Sequence, residues 1–237
     1  MNALITDNSP AKKPSRLISK ILAPAIKLWL RSQVEQVSNL EVQIEGNDRQ
    51  ILNGSIPRVS ILASHAVYQG LHVAQIQLVA TGIQVNLGQV IKGQPLKLLE
   101  KVPVTGKLQL QQADLNASVR SPLLTNALTE LLLKLSTIAA DKQVRWEKII
   151  VDDGQMSLNA TIATDSSNPQ PIILRAGLKL ANSHELEISQ PTIETPHEES
   201  LTTLDSFKVD LGTEVELDEL TLNPGQIVCS GKINIVP

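Results

Sequence analysis

Aromatic side chains are almost missing from this sequence: Trp29, Tyr68, Trp146 and Phe207 are its only four rings among 237 residues. Proteins that grip single-stranded nucleic acid or sugars stack them on rings, so neither partner fits. A cationic excess is missing as well, since 21 Lys and Arg stand against 24 Asp and Glu, for a formal net charge of −3. Phosphate-backbone binders carry a strong positive footprint, and nucleic acid is therefore excluded as a partner. One cysteine, Cys229, cannot close an internal disulfide, and no Cys/His cluster has zinc-site spacing. This reads as a reducing compartment and no metal. The chain also lacks a G-x-S-x-G elbow, a glycine-rich phosphate loop and an H-E-x-x-H pair. With no catalytic candidate and no cofactor implied, it is expected not to be an enzyme.

Nor is there an apolar run fit to cross a bilayer. The stretch Leu17 to Leu30 is interrupted by Lys20 and Lys27, and it falls short of the roughly 20 residues a membrane helix needs. No small-x-small cleavage pattern follows it. The expectation is an uncleaved cytoplasmic protein, peripheral to a membrane; the alternative is a periplasmic or lumenal location reached by an atypical signal.

What is present is aliphatic. Hydrophobic residues make up 42% and charged residues 19%, enough for a large core and unlike a disordered chain. Charge is unevenly spread: residues 1 to 31 hold six cations against Asp7 alone, whereas Glu185 to Glu219 hold eleven acidic side chains against Lys208. The molecule is electrically polar, with a basic N-terminal arm.

Residues 1–14 are polar and expected to be disordered, and 15–237 are expected to form a single domain. Ser15 is placed to cap a helix running to about Asn39. On it Arg16, Lys20, Lys27 and Arg31 share one side, opposite an apolar half that includes Leu22 and Trp29. Pro24 predicts a kink. A two-residue period then predicts strands over Leu40–Glu45, Arg49–Ile56, Val59–Tyr68, Leu71–Thr81, Ile83–Leu87 and Val104–Gln111, with a tight hairpin at Gln69-Gly70. Asp114 caps a short helical turn. Ser121-Pro122 opens a central helix whose stripe is Leu124, Leu128, Leu131, Leu135 and Ile138. Strand patterning resumes over Val144–Val151, Gln155–Ala163, Ile172–Ala181, Glu185–Ser189, Phe207–Leu211, Glu214–Leu222 and Gln226–Val236, with polar connections at 165–171 and 190–200.

Three small constellations read better as structure than as chemistry. His65 and His72 flank the Gln69-Gly70 turn, but two ligands do not make a metal site. Asp152-Asp153-Gly154 lacks the remaining ligands of a calcium loop and reads as a hairpin turn. Cys229 alternates with Ile227, Gly231, Ile233 and Ile235, the pattern of an inert buried thiol.

The order of Gly54-Ser55-Ile56-Pro57-Arg58-Val59, Val67-Tyr68-Gln69-Gly70-Leu71, Ala113-Asp114-Leu115-Asn116 and Ser121-Pro122-Leu123-Leu124 resembles the LmeA-like phospholipid-binding family, in its cyanobacterial form. The closing Leu211-Gly212-Thr213-Glu214-Val215 and Gly231 to Pro237 extend the resemblance from about residue 15 to the end. Family members are similar to tubular lipid-binding proteins. The resemblance therefore implies an α+β fold in which a long, highly curved antiparallel sheet wraps helices and leaves an apolar groove. It also implies a phospholipid partner and binding rather than catalysis.

Lifting a lipid tail into water costs about 0.8 kcal/mol per methylene, so a carrier must offer comparable apolar surface. Aliphatic strands and helices would supply it, although a filled core would give the same pattern. The side chains expected to line a groove are Leu22 and Trp29, Ile76 and Leu78, then Leu124, Leu128, Leu131 and Leu135, and finally Met156, Leu158 and Ile162. Arg16, Lys20, Lys27 and Arg31 are expected to meet an anionic membrane surface, unless the helix that carries them serves only to pack on its own sheet. The leading expectation is a non-enzymatic phospholipid-binding or lipid-transfer protein. Its rival is a membrane-associated scaffold that holds protein partners, of which the sequence names none.

Overall fold

The computed structural model describes residues 18–135, 143–163, 169–195 and 202–237. The expected disordered segment 1–14, Arg16, the Ser15 cap, Ile138 and residues 165–168 and 196–200 of the two polar connections lie outside the described residues, as does the side chain of Lys20.

Helix α1 (Ile18–Ser32) runs through Pro24 and is followed by β1 (Asn39–Glu45), α2 (Asp48–Leu52), β2 (Ser55–Tyr68), β3 (Leu71–Gln84) and the single turn α3 (Leu87–Val90). Next come β4 (Val102–Gln111), α4 (Gln112–Ser118) and α5 (Pro122–Leu135). The C-terminal half is all strand: β5 (Gln143–Asp152), β6 (Gln155–Ala163), β7 (Gln170–Asn182), β8 (Glu185–Glu194), β9 (Thr202–Thr203), β10 (Phe207–Asp210), β11 (Val215–Asn223) and β12 (Gln226–Ile235).

These strands build two antiparallel sheets. The first runs β1-β2-β3-β4-β12-β11; the second runs β10-β8-β7-β6-β5, with β9 beside β8. The α+β class holds, but the single long, highly curved sheet wrapped around helices does not. Neither sheet is closed or strongly curled, and the helices lie against two separate open sheets. The physical reason is the Gln111-Gln112 junction: β4 turns straight into α4, and the chain starts a new sheet at β5 instead of extending the old one. Only the last two strands, β11 and β12, return to the first sheet.

Each sheet has its own core. Under α1 and α2, Leu22, Ile26 and Ile51 pack with Ile56, Val59, Ile83 and Val104 of the first sheet. Under α5, Leu128 and Leu132 pack with Trp146, Ile149, Leu158 and Leu174 of the second, and this cluster also takes Leu222 and Ile227 from β11 and β12. Hydrogen bonds lock the sheets together: Gly225 N–H donates to Val151 O at 2.9 Å and Leu217 N–H to Ser183 O at 2.7 Å.

Two local expectations fail for identifiable reasons. The first helix stops at Ser32, not near Asn39, because the sheet edge claims the backbone beyond it: Glu35 N–H donates to Val67 O and Val67 N–H to Gln36 O. The strand expected over Arg49–Ile56 is instead α2 followed by the start of β2. Asn47 accepts from Gln50 N–H, and the Gln50 side chain reaches back to the Asn47 N–H, a reciprocal cap that outweighs the apolar alternation.

Candidate apolar binding site

The second sheet and α5 leave a groove between them. Ser121 Oγ accepts the Leu124 N–H at 3.2 Å and so fixes where α5 begins. Further along, Thr129 Oγ1 accepts the indole N–H of buried Trp146 at 3.1 Å, which ties the helix to β5 at one edge of the sheet. Because α5 is held on that side, β7, β8 and β10 are left partly uncovered. The resulting groove has a volume of about 280 Å³.

Its walls are hydrocarbon. Leu128 and Leu131 project from α5, Met156 and Leu158 from β6, and Leu174, Ala176 and Leu178 from β7, with Ile188 and Val209 closing the far side. Among the described residues, the charged side chains lining it are Glu130 and Lys134, one helical turn apart on α5. Gly177 faces Ser189 of β8, whose Oγ a Cβ there would meet. Among the described residues the lining holds no His, Cys, Ser or Thr beside Glu130 and Lys134, and no group of three or more His, Cys, Asp or Glu is placed to hold a metal ion.

Of the eleven expected groove residues, the structure brings Leu128, Leu131, Met156 and Leu158 together on these walls. Leu124 and Leu135 pack beside the same core half-buried, and Ile162 lies inside it. Leu22 is elsewhere, buried in the core under α1, and Trp29 sits half-exposed on that helix. Ile76 and Leu78 lie on the first sheet, in rows pairing Ala63–Ile76–Leu108–Cys229 and Ile61–Leu78–Gly106–Gly231. These rows are largely half-exposed aliphatics between the two cores.

The β7, β8 and β10 side of the groove was not read from the sequence. Alternation marks Leu174 and Ile188 as inward-facing, but not whether a helix covers them.

Other expected features take plainer roles. His72 pairs with Val67 across the β2–β3 ladder, so it is not opposite His65. Burial pushes the Cys229 thiol up, away from its reactive thiolate form. Lys27 is half-exposed and Arg31 exposed on α1. No described helix is long and apolar enough to cross a membrane.

The chain matches the model of one protein family, LmeA-like phospholipid-binding, over residues 14–232. No curated protein and no solved structure matches it. An aliphatic groove is consistent with that match, and, covered over nearly its whole length, the chain belongs to the LmeA-like phospholipid-binding family.

Proposed function

We propose that the groove between α5 and the second sheet holds one acyl tail of a phospholipid, and that the protein works peripherally at an anionic membrane surface. The observation that carries this reading is the lining: ten aliphatic or methionine side chains enclose about 280 Å³, with charge among the described residues confined to Glu130 and Lys134. Drug-sized ligands occupy roughly 300–1,000 Å³, so the groove suits a single tail and leaves the headgroup outside. Each buried methylene contributes about 0.8 kcal/mol, so a long tail gains enough to leave a bilayer transiently.

An anionic surface is favoured by the N-terminal thirty-one residues, where six cations oppose one acid. Long-range attraction of this kind raises local concentration without fixing orientation. A cytoplasmic setting agrees with the single unpaired cysteine.

The test is native mass spectrometry of the full chain after incubation with phosphatidylglycerol vesicles. One phospholipid adduct per chain is expected, and Ala176→Trp, which fills the groove floor, should remove most of it while leaving the circular-dichroism spectrum unchanged. Adduct formation that survives Ala176→Trp overturns the groove assignment. A chain that takes up no lipid overturns transfer itself and favours a scaffold.

A further inference from the structure

One end of the first sheet collects exposed hydrocarbon. The loop 85–101 between β3 and β4, helix α2 and the last residues of the chain all emerge there, as the pairings Ser55↔Gln84 and Val102↔Ile235 require. Leu52 is 53% exposed, Ile91 71%, Leu99 58% and Val236 63%. The loop is a built structure. Buried Asn86 donates to Pro95 O at 2.9 Å and to Gln89 Oε1 at 3.1 Å, and accepts the Lys97 N–H at 2.7 Å. Val85 N–H donates to Gly54 O, joining the loop to the end of α2. Leu87, Val90, Leu96 and Leu98 turn inward to the core, while Ile91 and Leu99 are held outward.

Charge at this end distinguishes the partner. Lys92 and Lys97 flank the exposed aliphatics and form no ion pair among the described residues. Protein–protein contacts deplete lysine at their centres, whereas a bilayer interface favours aliphatic tips ringed by lysines whose stems lie along apolar surface. Helix α1 packs at this end as well, where its Leu22 and Ile26 share a core with Ile51 of α2. Of the acid-rich stretch, Glu185, Glu187 and Glu194 lie on β8 and Asp210 on β10 of the other sheet, whereas Glu214 reaches this end and is neutralised there by Lys101.

We infer that the 85–101 loop, with Leu52 and Val236 beside it, is the membrane-docking tip, which inserts Ile91 and Leu99 among the tails of an anionic bilayer while Lys92 and Lys97 meet its headgroups. It is a surface separate from the α5 groove, and the two fail separately: a groove-filled protein still docks, and a tip-altered protein still accepts a tail from detergent micelles.

Sedimentation of the full chain with vesicles of phosphatidylcholine containing phosphatidylglycerol tests this. Ile91→Asp and Leu99→Asp should each weaken binding about tenfold or more. Lys92→Glu with Lys97→Glu should weaken it on the mixed vesicles and leave pure phosphatidylcholine unaffected. Leu62→Asp, at an exposed leucine in the middle of the first sheet, should have no effect. Unchanged sedimentation of the loop variants, or an equal loss with Leu62→Asp, overturns the docking tip. Should an aspartate variant fold poorly, a polarity-sensitive dye on Ile91→Cys in a Cys229→Ser background gives an independent answer. Its emission shifts blue on adding vesicles if the tip inserts, and a constant spectrum refutes insertion.

Discussion

Asn116 Oδ1 accepts the backbone N–H of Ile149 at 2.8 Å, so a side chain of α4 does for the outer edge of β5 what a neighbouring strand would have done. Gln112 Oε1 repeats the arrangement one turn earlier, on Val151 N–H at 3.1 Å. Open sheet edges invite pairing with other chains, and these amides close this one while fastening the second sheet to the end of the first. Asn116→Leu leaves the Ile149 N–H without its acceptor beside a core residue. The expected loss is about 1–3 kcal/mol of unfolding free energy in urea, whereas Asn116→Asp keeps the acceptor oxygen and should lose clearly less. Equal losses from the two substitutions would assign the effect to packing instead of the hydrogen bond.

Leu131 and Leu132 are neighbours on α5 with opposite environments. Leu132 is fully buried among Trp146, Ile149 and Leu158, while Leu131 lines the groove and is only partly buried. Truncating Leu132 to Ala removes core contacts and leaves a void, for a destabilisation of about 2–5 kcal/mol. Truncating Leu131 should destabilise much less, because part of its surface already faces open space, yet it should alter lipid occupancy. Thermal melts beside lipid-adduct fractions separate the two roles. A Leu131→Ala protein as unstable as Leu132→Ala would mean that the groove wall is part of the core.

How far the sequence reached follows from what periodicity can carry. β6 was read with its observed ends, Gln155 and Ala163, because Met156, Leu158, Ala160 and Ile162 alternate without interruption. The Gln69-Gly70 turn was legible because both residues take positive φ, 49° and 73°, as a tight hairpin demands. Alternation tells which side chains share a face, however, and not which strand lies alongside. The break into two sheets depends on Gln112 and Asn116 finding β5, a long-range event that no local period encodes. Helix α2 did leave a signal, Asn47 followed three residues later by Gln50, which the apolar pattern of Ile51, Leu52 and Ile56 obscured. Four of the eleven expected groove residues line the groove under α5, because α5 and β6 have clean periods. The rest were apolar for other reasons, such as Leu22 beneath α1.

Acid should loosen the junction between the tip loop and β11. Lys101 Nζ donates to Glu214 Oε1 at 2.7 Å, and this hydrogen bond holds the Glu214 carboxyl below the usual carboxylate range. A depressed native pKa means that the folded chain binds its proton less readily than the unfolded one. The stabilisation is therefore present above the ordinary carboxyl pKa of about 4.3 and is lost as pH falls through the lower native value. Both side chains are substantially exposed, so the effect is small and weakened by salt. Melting temperatures compared between about pH 6 and about pH 3 should fall less in Glu214→Gln than in the unsubstituted chain. An identical fall would remove this pair from the acid response.

Gly106 and Gly231 sit directly opposite each other on β4 and β12, in the half-exposed row that begins with Ile61 and Leu78. A Cβ on Gly231 would run into the Glu216 carbonyl oxygen and lie 2.8 Å from Leu217 Cα, because the irregular pairing between Leu217 and Glu219 brings the β11 backbone over this position. Backbone cannot step aside as a side chain can. A Cβ on Gly106 meets only Leu78 Cδ2, at 2.8 Å, the end of a flexible side chain. Gly82 is different again: φ is +64° with nothing within 4 Å, so alanine there meets only the left-handed backbone penalty of about 1–2 kcal/mol. Urea unfolding of the three alanine variants should rank Gly231 as the most damaging, with Gly82 near that penalty and Gly106 tolerated by a rotation of Leu78. The same series asks whether the glycine row serves the lipid. If Gly106→Ala keeps both its stability and its phospholipid adduct, the row of Ile61, Leu78, Gly106 and Gly231 is architecture, and tail binding is confined to the groove under α5.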